Sequence, residues 1–256
     1  MSQAAIITGA SSGIGRELAR ELARRGYALG LTGRRIDVLD ELKREIEAAG
    51  PGSPRIETCG LDVRDSRAVH AVIHELAGRL GGVDLVVANA GIGGDRRVGD
   101  GRFEIDEEII RTNMIGAMAT VDAAAELFLP ARRGQIVGIS SVAAFRGLPG
   151  NAAYSASKAG FTTYLEGVRA EVEGLGIDVT TISPGFIDTP INQRMKSRPF
   201  LVSAAEGARQ IADLIERRVR HSTVPVLPWG MVGTMMRTLP DAIWYRALRS
   251  GWSDRE

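Results

Sequence analysis

Residues 4–15 read Ala4-Ala5-Ile6-Ile7-Thr8-Gly9-Ala10-Ser11-Ser12-Gly13-Ile14-Gly15, and the helical pattern Gly13–Arg25 grows out of their end. A short apolar run, a turn with glycines spaced G-x-x-x-G-x-G and a helix form the opening half of a βαβ unit. The same alternation recurs downstream. Strand-like runs Ala28–Thr32, Ile56–Leu61, Asp84–Ala88, Gln135–Ser140, Asp178–Ile182 and Thr223–Leu227 are interleaved with helical patterns Ile36–Ala49, Arg67–Leu80, Glu107–Leu129 and Ala153–Glu173. Such alternation predicts an α/β, Rossmann-type fold, a doubly wound parallel sheet of about seven strands covered by helices on both faces. Gly91–Arg102 reads as a solvent-exposed loop, and Ser183–Pro199 as a longer loop at the carboxyl end of a strand, where open α/β sheets place their ligands.

The chain's 256 residues suit one large domain over 1–256. A variable substrate-loop and C-terminal region is expected from about residue 186 onward. With 32 Lys and Arg against 31 Asp and Glu, the net charge of +1 offers no global attraction for a nucleic acid, and none is expected as a partner. The single cysteine, Cys59, has no internal disulfide partner. No signal-peptide pattern precedes the first strand, so a cytoplasmic location is expected. Charged residues, Gly or Pro interrupt each apolar run before it reaches the roughly 18 residues of a membrane span. Peripheral membrane contact stays open.

The glycines of the first turn allow tight turning and close approach of a pyrophosphate, while the amides at the helix start and the helix dipole face its charge. Gly9, Ser11, Ser12, Gly13, Ile14 and Gly15 are therefore candidate cofactor residues. The alternative is a turn that only packs strand against helix. The second strand ends in Leu31-Thr32-Gly33-Arg34-Arg35. An NAD site would place an acid near Gly33 to accept from the ribose 2′-hydroxyl, whereas arginine suits a 2′-phosphate. Arg34, helped by Arg35, thus predicts NADP(H) in preference to NAD(H), unless both arginines are merely solvated at a helix start.

Thr8–Gly15, Asn89-Ala90-Gly91, Asn113, Ser141, Tyr154-Ser155-Ala156-Ser157-Lys158 and Pro184-Gly185, in this order and spacing, resemble the short-chain dehydrogenase/reductase family over roughly residues 4 to 192. The resemblance implies an oxidoreductase that transfers hydride between nicotinamide and a small carbonyl or alcohol substrate. It also implies that Asp62 and Val63 lie near the adenine, that Asn89, Ala90 and Gly91 pass along the cofactor, and that Thr189, after Pro184 and Gly185, contacts the nicotinamide end. Asn113 is implied to help hold a water joining Lys158 to solvent, and Ser141 to orient the substrate oxygen. Ser140 is the weaker candidate for that last role. Homodimers or homotetramers are the expected assemblies. A non-catalytic dinucleotide-binding sensor or assembly protein on the same fold is the competing reading.

Residue chemistry agrees with catalysis. Tyr154 and Lys158, four residues apart on a helix, rise on one face. A phenol of ordinary pKa about 10 needs about 4 kcal/mol of differential stabilisation to ionise three units lower. Lys158 and an oxidised nicotinamide are both cationic enough to contribute.

Two regions leave their partners undecided. Phe161, Leu165, Val168 and Val172 form an apolar helix face suited to a partner subunit or to the chain's own sheet. From Arg217 onward stand Trp229, Trp244 and Trp252 together with Arg217, Arg218, Arg220, Arg237, Arg246 and Arg249, with Pro240 separating two short helical candidates. One carries Met231, Val232, Met235 and Met236, the other Ile243, Trp244, Ala247 and Leu248. These helices suit the flank of a substrate cleft or a subunit interface. They also suit attachment to an anionic membrane, and either use favours an apolar substrate.

Overall fold

Every residue of β1 (Ala4–Thr8) is buried, which a strand achieves only where helices cover both faces of its sheet. Side chains alternate across the sheet. Ala5 and Ile7 join one hydrophobic cluster, while Ile6 between them joins the other. The computed structural model describes residues 3–50, 52–193, 195 and 197–250, with side chains to residue 246.

After β1 come α1 (Gly13–Arg24), β2 (Ala28–Gly33), α2 (Ile36–Glu47), β3 (Ile56–Gly60), α3 (Ser66–Leu80) and β4 (Leu85–Ala88). Next follow α4 (Phe103–Ile110), a π-helical stretch Arg111–Ile115, α5 (Gly116–Ala131), β5 (Gly134–Ile139), α6 (Ala152–Glu171) and β6 (Ile177–Pro184). The last elements are α7 (Ala204–Glu216), β7 (His221–Val224), α8 (Val226–Thr238) and α9 (Asp241–Ser250). Seven strands form a sheet of order β3-β2-β1-β4-β5-β6-β7, parallel throughout. Residues of α1, α2 and α7 build the core on one face, and residues of α3, α5 and α6 build it on the other. The order reverses between β1 and β4, so the turns after these strands diverge and leave a crevice at their carboxyl ends.

Phe161, Leu165 and Val172 are buried in the chain's own core, with Val168 packed against it. This face therefore serves the sheet. Gly138 on β5 lets α6 come close: a Cβ there would stand 2.3 Å from Leu165 Cδ1. That close seating hangs the start of α6, which carries Tyr154 and Lys158, beside the carboxyl end of β5.

Two expectations are corrected in detail. The helical pattern Glu107–Leu129 is part of a continuous run, Phe103–Ala131, and by length and composition this run is apolar enough to cross a membrane. Much of its apolar surface, including Val121, Ala124 and Phe128, packs into the core instead. Within it the π-helical stretch turns Asn113 inward to full burial, as extra-residue turns do at functional positions. The last strand is His221–Val224 and not Thr223–Leu227, because Pro225 brings no N–H to the ladder and α8 begins just after it. Gly91–Arg102 forms an exposed loop as expected, in which Arg96 pairs with Asp100 and Asp106.

The two C-terminal helices fall either side of Pro240 as expected, and each uses its apolar side chains unevenly. Trp229 and Met236 are buried, while Val226, Leu227, Met231, Met235 and Ile243 are exposed. Trp244 lies under the Arg146 guanidinium at 5.2 Å. Arg218 pairs with Asp178 and Arg220 with Glu173, and Arg237 stacks on Phe145 at 4.2 Å. Three of the arginines that suggested an anionic surface thus have partners within the chain. Trp252 lies outside the described residues, as do the side chains of Ala247, Leu248 and Arg249.

Candidate active site

A cleft of about 420 Å³ opens at the carboxyl ends of the central strands. Its first wall is the turn after β1. Gly9 and Gly13 adopt φ of +69° and +57°, and a Cβ at Gly9 would stand 2.7 Å from Ala90 Cα. Neither position tolerates a side chain without strain. Gly15 does not line the cleft. Its bare Cα lies under Asn89, where a Cβ would meet Nδ2 at 2.4 Å. Asn89 itself donates from Nδ2 to the Thr8 carbonyl at 2.8 Å and to the Gly9 carbonyl at 3.3 Å, tying β4 to the turn.

Ser12 at the start of α1 makes no side-chain capping bond, so the helix amides beside the cleft retain their capacity for an anion. Glycine backbones, open amides and cleft volume together fit a dinucleotide's pyrophosphate. Ser11, Ser12, Gly13 and Ile14 all line this wall.

At the far end of the wall, Arg34 and Arg35 follow β2 and line the cleft. Arg34 is exposed over it. Arg35 donates to Ser11 Oγ at 3.1 Å and so braces the turn. A Cβ at Gly33 would come within 3.3 Å of Ser11 Oγ, leaving little room for the acid that an NAD site would place there. Asp62 and Val63 line the same region. Arg64 grips the Asp62 carboxylate and holds its pKa below the ordinary aspartate value.

The chemical end lies on the other side of β4. Tyr154 is half-buried in the cleft wall, and Lys158, one turn later on α6, is fully buried. Lys158 Nζ donates to the Ile139 carbonyl at 2.8 Å and stands 6.0 Å from the Tyr154 ring centre. Burial pushes this ammonium down to about 8. Burial also pushes the Tyr154 phenol upward, opposed by a hydrogen bond with the Ser141 side chain.

The two adjacent serines divide their work. Ser140 Oγ donates to the Lys158 carbonyl at 3.1 Å and lies 2.7 Å from Thr162 Oγ1, so it fastens α6 to β5. Ser141 Oγ accepts from the Ala143 amide at 3.1 Å and keeps its proton available toward Tyr154.

Asn113 stands one layer behind the cleft. Its amide exchanges two hydrogen bonds with the Ile92 backbone, each 2.8 Å long, and Nδ2 reaches Ser157 Oγ at 3.3 Å. Ser157 in turn donates to the Tyr154 carbonyl at 2.7 Å. Asn113 is thereby a positioning residue for the β4 loop and for the start of α6. Gly91, whose added Cβ would lie 3.3 Å from Asn113 Oδ1 and 3.5 Å from Lys158 Nζ, separates the two.

Pro184, Gly185 and Thr189 line the remaining wall, as do Ala90 and Gly91 opposite. Two residues here carry no motif: Asn192 escapes a sequence reading, and Trp229 is marked only as part of helices suited to flank a cleft. Asn192 is buried, donates from Nδ2 to the Ile187 carbonyl at 2.7 Å and, among the described residues, leaves Oδ1 unpaired beside the cleft. Trp229 closes the back of Gly185, where a Cβ would fall 2.1 Å from its Nε1. Its ring packs on Phe186 at 5.9 Å and Phe200 at 5.7 Å. An aromatic on a helix of ordinary apolar pattern gave no sign of that contact.

Comparisons with known proteins agree with this geometry. A family model described as short chain dehydrogenase matches residues 3–199. An uncharacterized oxidoreductase of Mycobacterium tuberculosis is 38% identical over 239 residues, covering 93% of this chain and 94% of that protein. An alcohol dehydrogenase of the archaeon Thermococcus sibiricus, solved with 5-hydroxy-NADP, superposes with a TM-score of 0.78 at 28% identity, covering 87% of this chain and 95% of that one. An actinorhodin polyketide ketoreductase solved with NADPH superposes with a TM-score of 0.76 at 28% identity, covering 84% and 90%. By motif order, strand order and these likenesses, the chain belongs to the short-chain dehydrogenase/reductase family of NAD(P)-binding oxidoreductases.

Proposed function

We propose that the protein is an NADP(H)-preferring oxidoreductase that interconverts a carbonyl and an alcohol, with Tyr154 as acid/base. The observation that carries this reading is the joint placement of Tyr154, Ser141 and Lys158 at one end of a cleft whose other end bears Arg34 and Arg35. A non-catalytic dinucleotide binder has no need of that convergence. Ser11, Ser12, Gly13 and Ile14 would hold the pyrophosphate, Asp62 and Val63 the adenine end, and Thr189 with Lys158 the nicotinamide end. When bound, the nicotinamide supplies hydride transfer to or from the substrate carbon. Tyr154 then gives its proton to the substrate oxygen in reduction and takes it back in oxidation. Ser141 orients that oxygen, and Lys158 supplies positive charge beside the phenol.

The aromatic group Phe186, Trp229 and Phe200 stands behind the loop that follows β6, and the exposed Ile191 lies on the same loop. This supports an apolar substrate, with α8 flanking its end of the cleft. The exposed patch of Val226, Leu227, Met231 and Met235 supports peripheral membrane contact as a second use of the same helix. The family is usually oligomeric. A homodimer or homotetramer here would have to use faces other than Phe161, Leu165 and Val172, which the core already covers.

A carbonyl and alcohol panel followed by reduced-nicotinamide absorbance tests the activity. Tyr154→Phe is expected to lower turnover by about 10²- to 10⁴-fold with cofactor affinity nearly unchanged. Turnover near the wild-type value would remove Tyr154 from its role.

The same assays compare cofactors. kcat/KM is expected to favour NADPH over NADH, and Arg34→Ala to cut that preference by about tenfold or more, since a hydrogen bond to a charged group contributes about 1.5–3 kcal/mol. Equal use of both cofactors by the wild type would refute the assignment.

Burial of Lys158 also gives a pH signature. Its ammonium titrates near 8 in the fold against an ordinary value of 10.5. Between these values the unfolded chain keeps a proton that the folded chain has lost, so this group's contribution to stability rises with pH across the window. Denaturant unfolding from pH 7 to 10.5 should show the wild type gaining on Lys158→Met by up to about 3 kcal/mol. Parallel profiles would show that Lys158 is not held in a desolvated site.

A further inference from the structure

α3 and α5 pack side by side on one face of the sheet, and their solvent-facing turns bring four side chains together away from the cleft. His70 and His74 are one turn apart on α3, and Asp122 and Glu126 one turn apart on α5. His70 Nε2 lies 3.1 Å from Asp122 Oδ2 and 3.8 Å from Glu126 Oε1. His74 Nε2 lies 2.9 Å from the other oxygen of Glu126. The ligand-capable atoms of His70, Asp122 and Glu126 all fall within 4.8 Å of one another.

The protonation of His70 gives this cluster its chemistry. Its Nδ1 stands 2.9 Å from the Ser66 carbonyl oxygen. That oxygen can only accept, so Nδ1 carries a proton, and in the neutral ring, the form that binds a metal, Nε2 presents a lone pair. The lone pair then points at two carboxylates. Among the described residues no lysine or arginine forms an ion pair with Asp122 or Glu126, whose partners are the two histidines. Two like charges at i and i+4 on α5 repel, and a cation at their meeting point with Nε2 removes both conflicts at once.

We propose that this face is a binding site for a divalent transition metal, with zinc as the type case, held by His70 Nε2, Asp122 and Glu126. Ligand atoms about 2.0–2.2 Å from a tetrahedral zinc lie about 3.3–3.6 Å apart, close to the 3.1 and 3.8 Å found here. The Ser66 carbonyl orients the ligating ring from behind, and His74 holds the outer oxygen of Glu126, as outer partners do in built metal sites. Solvent completes the coordination. One imidazole with two carboxylates favours zinc, cobalt or nickel over magnesium and calcium. None of the four residues lines the cleft, so the metal clips α3 to α5 and stabilises the fold without entering the reaction.

The test is isothermal titration of the full-length, chelator-treated protein with zinc chloride alone, paired with thermal unfolding with and without zinc. The site predicts one zinc per chain and a rise in Tm that magnesium does not reproduce. His70→Asn and Asp122→Asn should each weaken binding by more than about tenfold, and His74→Asn by about tenfold, with metal-free Tm little changed for the exposed Asp122 and His74. Cys59→Ser removes the chain's single thiol, a rival zinc ligand, and should leave the affinity intact. Binding should also tighten from pH 6 to pH 8, because zinc competes with the proton on His70. Absence of zinc binding, unchanged affinity in His70→Asn, or loss of binding in Cys59→Ser would each overturn the proposal.

Discussion

The site rests on the burial of one ammonium. Lys158 is taken out of water and held by a single close acceptor, the Ile139 carbonyl at 2.8 Å, beside a phenol that is itself desolvated. An ammonium so enclosed is driven toward its neutral form, which is why it titrates near 8. Both groups are thus shifted toward neutrality in the protein alone. Only added positive charge, or a hydrogen bond to the ionised phenol, reverses the tendency for Tyr154. Ser141 supplies the hydrogen bond. In the proposed mechanism the protonated phenol is the donor, and positive charge brought by a bound oxidised nicotinamide would favour its ionised form.

The surrounding fold keeps this pair in place by bringing backbones closer than side chains allow. Gly138 lets α6 settle onto β5, and Gly9 lets the first turn touch the segment after β4. Ser140, Asn113 and Ser157 then fasten the start of α6 to its neighbours through hydrogen bonds. Side chains fixed by such contacts are held with the rotational precision that proton transfer demands. At the other end, Trp229 packs under Gly185 and links the C-terminal helices to the loop after β6. A helix far along the chain thereby shapes the substrate end of the cleft.

Much of this architecture is legible in the amino-acid sequence. Strand runs such as Ala4–Ile7 are apolar without alternation because they are covered twice, and that pattern, interleaved with helical ones, points to a parallel sheet. The turn from Gly9 to Gly15 and the Tyr154–Lys158 spacing stand out because each needs specific residue types at specific offsets. Asn113 is visible only through a resemblance, and its burial in a π-helical stretch does not show in helical periodicity. Asn192 carries no signal, because its bond to Ile187 depends on the local course of an irregular loop, and Trp229 is marked only as one aromatic of the C-terminal helices, because its contact with Gly185 depends on how distant segments meet. The partners of Arg218 and Arg220 are equally hidden from a sequence reading, since Asp178 and Glu173 lie about forty to fifty residues earlier in the chain.

The central claim is that Tyr154 stays a neutral donor until cationic charge reaches the site. Tyrosinate difference absorbance, titrated with pH in the presence and absence of NADP⁺ and corrected with Tyr154→Phe, reads that claim directly. The account predicts one phenol whose ionisation moves down by at least about one pH unit when NADP⁺ is added, a change absent from Tyr154→Phe, corresponding to about 1.4 kcal/mol or more. A Tyr154 titration that sits at the same pH with and without NADP⁺ would contradict it.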